Sequence, residues 1–287
     1  MLLSSAAAAA WEDPAAALAN ARHEFGEHGG VNMSIEASAT FTVMDPKTLR
    51  KMFFDELGAD RDFFIYSRHF NPTVLNLSPH MAVLEGIEAA YCTSSRMSTI
   101  SFVLLQLDSN GEHIVASKTV YGGTHAVMSH LFPRACNITT TFVDINDMNI
   151  MRNTIEVEKT KVLYFEGMSN PTLTVANIPE LSRIGHEKGV TVVVDNTFSL
   201  IILSPVKLGA DVIVDSISKF ISGSADIIAG VVCRPTSLVN SMMDLHQGSL
   251  MLLGPTMNAK VAFELFERIP NLGLRMKEHY HRAMVYA

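Results

Sequence analysis

Short β-branched runs alternate with helical stretches through most of the chain, and this alternation constrains the possible folds more than any other feature. The runs cover residues 113–117, 139–144, 161–166, 190–195, 211–214 and 227–233. The clearest helical stretch between them covers residues 178–188. Continuous apolar strands separated by helices are typical of a mostly parallel sheet with helices on both faces. We therefore predict an α/β domain over residues 78–265, with its chemistry at the carboxyl ends of the strands.

The segment before this domain has a different pattern. Residues 1–12 have the composition of a loose tail, and Asp-Pro pairs at 13–14 and 45–46 predict helix starts, because Asp caps a helix and Pro suits its first position. Residues 59–77 have no sustained period, and we predict an extended, aromatic-rich arm there. A further helix is predicted to begin at Ser78-Pro79 and to reach Tyr91.

The composition excludes several classes of protein. Hydrophobic residues make up 48% and charged residues 18% of the 287 residues, so the chain as a whole is not disordered. The net charge of −7 provides no basic face for nucleic acid. Three widely spaced cysteines without a CxxC pair argue against a disulfide framework and a zinc site, so no metal is expected. The apolar runs are too short for a membrane helix, and the N-terminus lacks the basic residues of a targeting peptide, so we expect a cytoplasmic protein without membrane contact.

Polar side chains follow three of the predicted strands directly. Glu166 and Asp195 each end a strand, and Lys219 comes just after another, flanked by the hydroxyls of Ser216 and Ser218. Taken singly, a strand-end Asp or Ser is more often a helix cap, and a lone Lys is more often a solvated charge. Taken together, they fit pyridoxal phosphate. An amine desolvated beside a buried strand can form a Schiff base, hydroxyls suit a phosphate, and a carboxylate suits a protonated pyridine nitrogen.

Several long motifs carry a resemblance to a known family. They are YSRHFNPT (66–73), VYGGTH (120–125), FEGMSNPTL (165–173), VVVDNTF (192–198), LGADVIVDSISKFISG (208–223) and DIIAGVV (226–232). With these motifs in this order, the sequence resembles the transsulfuration-enzyme family of pyridoxal-phosphate-dependent proteins, which includes cystathionine γ-synthase, cystathionine lyases and methionine γ-lyase. Within that family it is most similar to the methionine γ-lyases of plants. The resemblance implies an aspartate-aminotransferase-like large domain over 78–265, an oligomerisation arm within 1–77, and the start of a truncated C-terminal domain at 266–287.

The resemblance also implies a role for each matching residue. Lys219 would hold the cofactor as a Schiff base and later move the Cα proton. Asp195 would pair with the ring nitrogen, and Tyr121 would stack on the ring and could protonate the leaving group. The remaining cofactor-binding residues would be Asn170 near the phenolic oxygen, Ser216, Ser218 and the backbone of Arg96 and Met97 at the phosphate, and Tyr66 and Arg68 at the phosphate of a neighbouring subunit.

The activity implied is a carbon–sulfur lyase of sulfur amino acid metabolism. It would eliminate a thiol from Cγ of methionine or cystathionine and release 2-oxobutyrate and ammonia. The expected partners are a small amino-acid substrate and further copies of the chain, in a dimer or tetramer formed through residues 59–77. Three other interpretations stay open. One is a truncated, catalytically impaired paralogue that acts as a cofactor-binding or oligomer subunit, and another is a γ-synthase-type transferase. The third, which has the least support, is an unrelated α/β nucleotide-binding protein.

The sequence departs from the family pattern at several points. Arg96 stands where the family has a glycine at the phosphate helix, and we expect its Cβ to impair cofactor binding. Asp215 replaces a histidine beside Ser216, which is unfavourable if its carboxylate points toward the phosphate. Residues 199–202 replace a short Ala/Pro turn, and Gly123 stands where bacterial methionine γ-lyases have a cysteine. No residue of the sequence can be assigned to the family arginine that binds the substrate carboxylate.

Overall fold

A computed structural model describes residue 18 and residues 26–54, 56–58 and 63–287. The predicted tail at 1–12, the predicted helix start at 13–14 and residues 59–62 of the arm lie outside this part of the chain. The strands of the described part are β1 Ala89–Thr93, β2 His113–Ser117, β3 Thr139–Val143, β4 Thr160–Glu166, β5 Thr191–Asp195, β6 Val212–Ser216 and β7 Gly230–Arg234. The helices are α1 Pro46–Phe53, α2 Pro72–Glu85, α3 Arg96–Leu107, α4 Gly122–Ala126, α5 Phe132–Cys136, α6 Met148–Thr154, α7 Ile178–Glu187, α8 Thr236–Met242, α9 Ser249–Leu253, α10 Ala259–Arg268 and α11 Leu272–Tyr286.

All seven strands of the described residues belong to one sheet in the order β1-β7-β6-β5-β4-β2-β3. Neighbouring strands are parallel from β6 through to β3, whereas β7 runs antiparallel to both β6 and β1. The mostly parallel sheet is therefore confirmed, and the strands β2 to β7 lie within a few residues of the predicted runs.

Helices cover both faces of the sheet. Successive strand residues point to opposite sides, so a strand that is apolar throughout has to be covered on both. In β5, Val192 and Val194 belong to a core that includes α7, whereas Val193 belongs to the core under α3 on the other face. The helices α2, α10 and α11 share a further buried cluster with β6 and β7. The predicted α/β class is confirmed, and the domain boundaries at residues 77 and 265 stay a prediction.

Two details of the N-terminal part differ from the prediction. Helix α2 begins at Pro72, not at Ser78-Pro79, because the Asn71 side chain caps it by accepting hydrogen bonds from the N–H groups of Thr73 and Val74. The arm is therefore helical from residue 72 onward. The same helix ends at Gly86 in a left-handed conformation (φ 73°), and residues 89–93 form the strand β1 where a helix was predicted. The predicted cap at Asp45 is confirmed, since its side chain accepts from the N–H of Lys47 at the start of α1.

No helix in the described part of the chain is long and apolar enough to cross a membrane.

Candidate active site

The carboxyl ends of the central strands carry the polar residues that the sequence placed there. Glu166 ends β4 and lies in register with Asp195 at the end of β5, and Ser216 ends the next strand, β6. All three residues are buried. Their convergence follows from the parallel arrangement, in which strands that run the same way end at the same edge of the sheet.

Asp195 is the most deeply buried of these three residues, with only 2% of its surface exposed. Its Oδ2 atom lies 2.5 Å from Nη2 of Arg96 and accepts a hydrogen bond from the Tyr164 hydroxyl at 3.3 Å. Its Oδ1 atom accepts from the backbone N–H of Thr197 at 3.0 Å. These contacts fix the Asp195 carboxylate at the strand end, where it faces the Arg96 guanidinium.

Glu166 links several other parts of the site. Its Oε1 atom accepts from the backbone N–H of Tyr121 at 2.8 Å and from Nη2 of Arg96 at 3.1 Å. Its Oε2 atom accepts from the backbone N–H of Asn170 at 3.0 Å. Burial, followed by the nearby charge of Asp195, raises the pKa of the Glu166 carboxyl. Glu166 thus holds the segments of Tyr121 and Asn170 to one rim.

The Arg96 side chain lies inside this rim. Its guanidinium carbon is 4.9 Å from the centre of the Tyr121 ring, and only 11% of the side chain is exposed. Burial lowers the pKa of Arg96, but the negative charges of Asp195 and Glu166 outweigh this effect and raise that pKa. The guanidinium is therefore held as a cation between an aromatic ring and two carboxylates.

The start of α3 forms the next wall of the site. Ser95 caps the helix by accepting a hydrogen bond from the N–H of Ser98, so Arg96 and Met97 occupy the first turn, as predicted. First-turn N–H groups have no acceptor within their own helix and suit a phosphate. A Cβ at Gly230 would lie 2.6 Å from both the backbone N and Cα of Arg96. The glycine that begins β7 therefore permits the close approach of the two backbones.

The segment after β6 carries the serines and the lysine. The backbone N–H of Ser216 donates to Oγ1 of Thr197 at 2.9 Å. The Ser218 hydroxyl accepts from the N–H of Ala229 at 2.9 Å and donates to its carbonyl at 3.2 Å, so it joins this segment to the residues before β7. Lys219 is exposed. The desolvation that we expected for its amine is therefore not seen, although the neighbouring Ile217 and Ile221 are buried.

Tyr66 and Arg68 lie together on the surface. The Arg68 guanidinium carbon is 5.6 Å from the centre of the Tyr66 ring, and its Nη1 atom donates to the carbonyl of Met251 at 2.7 Å. Their hydrogen bonds and ring contacts within the described residues do not include the strand ends of the same chain, so the structure does not bring them into the site of their own subunit.

Asp215 points away from the predicted phosphate side. On β6 it shares a face with Ile213 and Ile217, which belong to the cluster under α2, whereas Ser216 faces the other way. Its carboxylate is buried, and neither oxygen has a hydrogen-bond partner among the described residues. The replaced turn at 199–202 lies nearby, where Ile201 has a φ of 69° and the Tyr280 hydroxyl donates to the carbonyl of Leu200.

Sequence reasoning missed two contributors to the site and underrated a third. Tyr164 and Thr197 both hydrogen-bond to Asp195, and Glu166 was noted only as a strand-end carboxylate without a role. The signal for Thr197 was present, because it lies two residues after Asp195 inside a recognised motif. Tyr164 had no such signal, since a tyrosine within a buried strand is ordinarily a core residue.

Comparison with known proteins identifies the family. The family described as "Cys/Met metabolism PLP-dependent enzyme" matches residues 15–287. The chain belongs to this family. Pyridoxal phosphate is therefore the cofactor on which its family depends, as the sequence motifs implied.

Individual members of the family show how much of their length this chain represents. It is 72% identical over 283 residues to a methionine gamma-lyase of Arabidopsis thaliana, covering 99% of this chain and 64% of that protein. It is 34% identical over 260 residues to an L-methionine gamma-lyase of Fusobacterium nucleatum, covering 89% of this chain and 63% of the relative. The crystal structure of metB from Corynebacterium glutamicum superposes with a TM-score of 0.79 at 28% identity, over 91% of this chain and 64% of that one. The chain thus spans a little under two thirds of these relatives.

Proposed function

We propose that this chain binds pyridoxal 5′-phosphate at the carboxyl ends of β4, β5 and β6 and acts as a carbon–sulfur lyase on a sulfur amino acid. The reaction would convert methionine and water into methanethiol, 2-oxobutyrate and ammonia, with cystathionine as the other candidate substrate. The proposal rests on the buried Asp195 carboxylate. The Arg96 guanidinium contacts both this carboxylate and the Tyr121 ring, so the three groups lie at one place. The high identity to a methionine gamma-lyase supports this choice of reaction.

The donor groups of the site fit this cofactor. The buried Asp195 carboxylate suits the ring nitrogen, and the first turn of α3 suits the phosphate. Because Gly230 has no side chain, no Cβ fills the space beside the backbone N of Arg96 in that turn. Ser216 and Ser218 flank the same edge, and Ser218 would have to share its hydroxyl with Ala229. Lys219 would hold the aldehyde, and Asn170 would approach the phenolic oxygen.

Each side chain at the site would have its own role in the reaction. When bound, pyridoxal phosphate supplies an electron sink for the bond electrons released at the substrate. Asp195 would keep a proton on the ring nitrogen through its negative charge. The Lys219 amine would accept the Cα proton and return it, and the Tyr121 hydroxyl would donate a proton to the leaving sulfur. Glu166 would position Tyr121 through the hydrogen bond to its backbone N–H.

Assembly and location belong to the same proposal. Tyr66 and Arg68 are exposed and lie side by side, which suits contact with the phosphate site of a second copy in a homo-oligomer. A cytoplasmic location is also proposed, on the sequence features alone.

The test combines colour with product release. The purified chain is incubated with pyridoxal phosphate and methionine, the bound cofactor is followed by its absorbance, and methanethiol and 2-oxobutyrate are measured. We expect a yellow protein that releases both products in equal amounts. Lys219→Ala should lose the colour, because no amine remains to bind the aldehyde covalently. A Lys219→Ala protein that keeps the same absorbance band would overturn the assignment of this lysine.

One observation favours the alternative of a catalytically impaired paralogue. Arg96 pairs with the carboxylate that would hold the ring nitrogen and covers the ring of Tyr121. A protein of this kind would bind cofactor weakly and release no thiol, and it would persist as an oligomer subunit. Cofactor colour without product from either methionine or cystathionine would favour this alternative over the lyase.

A further inference from the structure

Resting on the proposed function, we propose that the Arg96 guanidinium occupies the place of the cofactor ring in the cofactor-free protein, so that cofactor binding requires the side chain to leave. Arg96 would then act as a built-in competitor of the cofactor. This goes beyond a steric conflict at its Cβ, because the competing group is the far end of the side chain.

The contacts of Arg96 are those that a pyridinium ring would make. The guanidinium is planar and cationic, and it lies over the Tyr121 ring at 4.9 Å. One of its N–H-bearing nitrogens, Nη2, lies 2.5 Å from Oδ2 of Asp195. A protonated pyridine is also planar and cationic and presents an N–H to a carboxylate. The two groups therefore need the same aromatic face and the same carboxylate.

The site cannot serve both groups at once. Asp195 is almost fully buried, and its other oxygen is already engaged by the N–H of Thr197 at 3.0 Å. The guanidinium also contacts Oε1 of Glu166 at 3.1 Å, so it is anchored to both strand-end carboxylates. Tyr121 is 40% exposed, which leaves the approach to the site open on the solvent side. Movement of the Arg96 side chain is therefore the step that would free the ring site.

This arrangement has opposite consequences for the empty and the loaded protein. In the empty protein, Arg96 forms ion pairs with two buried carboxylates, so its removal should destabilise the fold. In the loaded protein, its removal should tighten binding, because the apparent dissociation constant is the intrinsic constant divided by the fraction of open sites. A purely structural ion pair predicts losses in both states, and a steric conflict at Cβ predicts no gain for a variant that retains Cβ.

The experiment compares Arg96→Ala, Arg96→Gly and Arg96→Lys with the wild-type chain. The probe is 4′-deoxypyridoxine 5′-phosphate, which has the ring and the phosphate but no aldehyde, so Lys219 does not contribute covalently. Binding is measured by calorimetry, and the unfolding temperature of each protein is measured without the probe. We expect Arg96→Ala and Arg96→Gly to bind the probe about 10- to 100-fold more tightly and to unfold at a lower temperature without it. Arg96→Lys keeps a cation beside Asp195 without a planar group, and it should fold like wild type with an intermediate affinity.

The rate of binding provides a second readout on the wild-type chain itself. If Arg96 must leave first, the observed rate should reach a plateau as the probe concentration rises, whereas in Arg96→Ala it should rise linearly.

The outcomes separate this proposal from the proposed function. If Arg96→Gly gains affinity and Arg96→Ala does not, the conflict lies at Cβ and the competitor role is wrong. If wild type and Arg96→Ala bind equally, the competitor role is wrong and the cofactor site stands. If neither wild type nor any variant binds the probe, the cofactor site itself is refuted, and the competitor role with it.

Discussion

At the scale of single residues, Asp215 and Glu85 form a buried acidic pair, and neither carboxylate has a salt bridge to a cation within the described part of the chain. Burial raises the pKa of Glu85 to about 8, although the Asn196 amide donates to both of its oxygens. Burial, followed by the charge of Glu85, raises the pKa of Asp215. The pair therefore retains protons in the folded state that each carboxyl would lose in the unfolded chain.

This pair should make the stability fall as the pH rises. Well below pH 4, both carboxyls are protonated in the folded and in the unfolded chain. Between there and the Glu85 value of about 8, the unfolded chain releases protons that the folded chain keeps, so the free energy of unfolding decreases with pH. Asp215→Asn should flatten this slope and increase the free energy of unfolding at pH 8 by about 1–3 kcal/mol. Urea unfolding at pH 5 and pH 8 measures both effects, with the exposed Glu56→Gln as control.

Leu173 has a backbone conformation that is unfavourable for a leucine and should lower the free energy of unfolding. Its φ is 54°, in the left-handed region that Asn tolerates and Leu does not, and its side chain is 63% exposed. Leu173→Asn should therefore stabilise the fold by about 0.5–1 kcal/mol, with little loss of burial. Val175 in the same loop is 61% exposed but has no such conformation, so Val175→Asn should not stabilise. Equal changes in unfolding temperature for both variants would contradict the argument.

The sequence predicted which candidate residues lie at the strand ends, but it did not predict the direction of every side chain. Asp195 could be placed because a strand end in a parallel sheet has a defined location. The path of the Arg96 side chain could not, because it depends on Tyr121 and two carboxylates that meet only in the folded protein.

At the scale of elements, the C-terminal helix α11 secures the turn that carries Lys219. Nη1 and Nη2 of Arg275 donate to the carbonyls of Phe220 and Ile221 at 2.5 and 2.9 Å. One helix earlier, Arg268 binds Asp226 at 2.6 and 2.8 Å. The loop between β6 and β7 is thus held from outside, by residues that follow it in the chain.

Removing one of these contacts should loosen the loop selectively. Arg275→Ala eliminates the hydrogen bonds to the loop carbonyls of Phe220 and Ile221 and a longer one to the carbonyl of Arg268, and it should lower the free energy of unfolding by about 1–3 kcal/mol. It should also speed amide hydrogen exchange at residues 219–223, which mass spectrometry of peptides resolves. Arg282→Ala on the same helix removes only an exposed pair with Glu278 and serves as the control. Equal exchange in both variants would show that α11 does not restrain the turn.

Element boundaries show where sequence reasoning failed. Both Asn71-Pro72 and Ser78-Pro79 have the pattern of a helix start, and only the first is used. Pro79 is tolerated inside α2 because the helix buries Leu77 and Met81 almost completely, and this burial depends on tertiary contacts that the local pattern does not reveal. The strand β1 was missed because residues 89–93 lack an alternating pattern and follow a helix directly.

At the scale of the whole molecule, the exposed pair of Tyr66 and Arg68 raises the question of shared sites. If the arm of one subunit completes the phosphate site of another, two variants that lack different parts of the site can complement each other. On the proposed roles, Lys219→Ala would lack the covalent anchor and Arg68→Ala would lack the contribution of the arm, yet a mixed dimer would contain one intact site.

Subunit mixing tests this directly. The two variants are unfolded together, refolded as an equal mixture, and titrated with pyridoxal phosphate. Statistical pairing should restore about a quarter of the wild-type sites, because half of the dimers are mixed and each has one complete site. Each variant refolded alone is the control. A mixture that shows only the average of the two separate proteins would exclude a shared site, and light scattering would report the size of the assembly.

The α/β class could be predicted from the sequence because the central strands β4, β5 and β6 are buried on both faces and therefore have continuous apolar sequences. What the local pattern could not reveal was the antiparallel direction of β7, since an apolar run reads the same in either direction.

The place of β7 has a consequence for the timing of biosynthesis. Among the described residues it is the last strand of the sheet along the chain, yet it is inserted between β1 and β6, and its first residue, Gly230, packs against the start of α3. In a nascent chain whose residues 230–234 are still inside the ribosome, β1 is not yet joined to the other strands, and the proposed phosphate site lacks one wall. We therefore expect binding of vitamin B6 to begin only after translation has passed this strand.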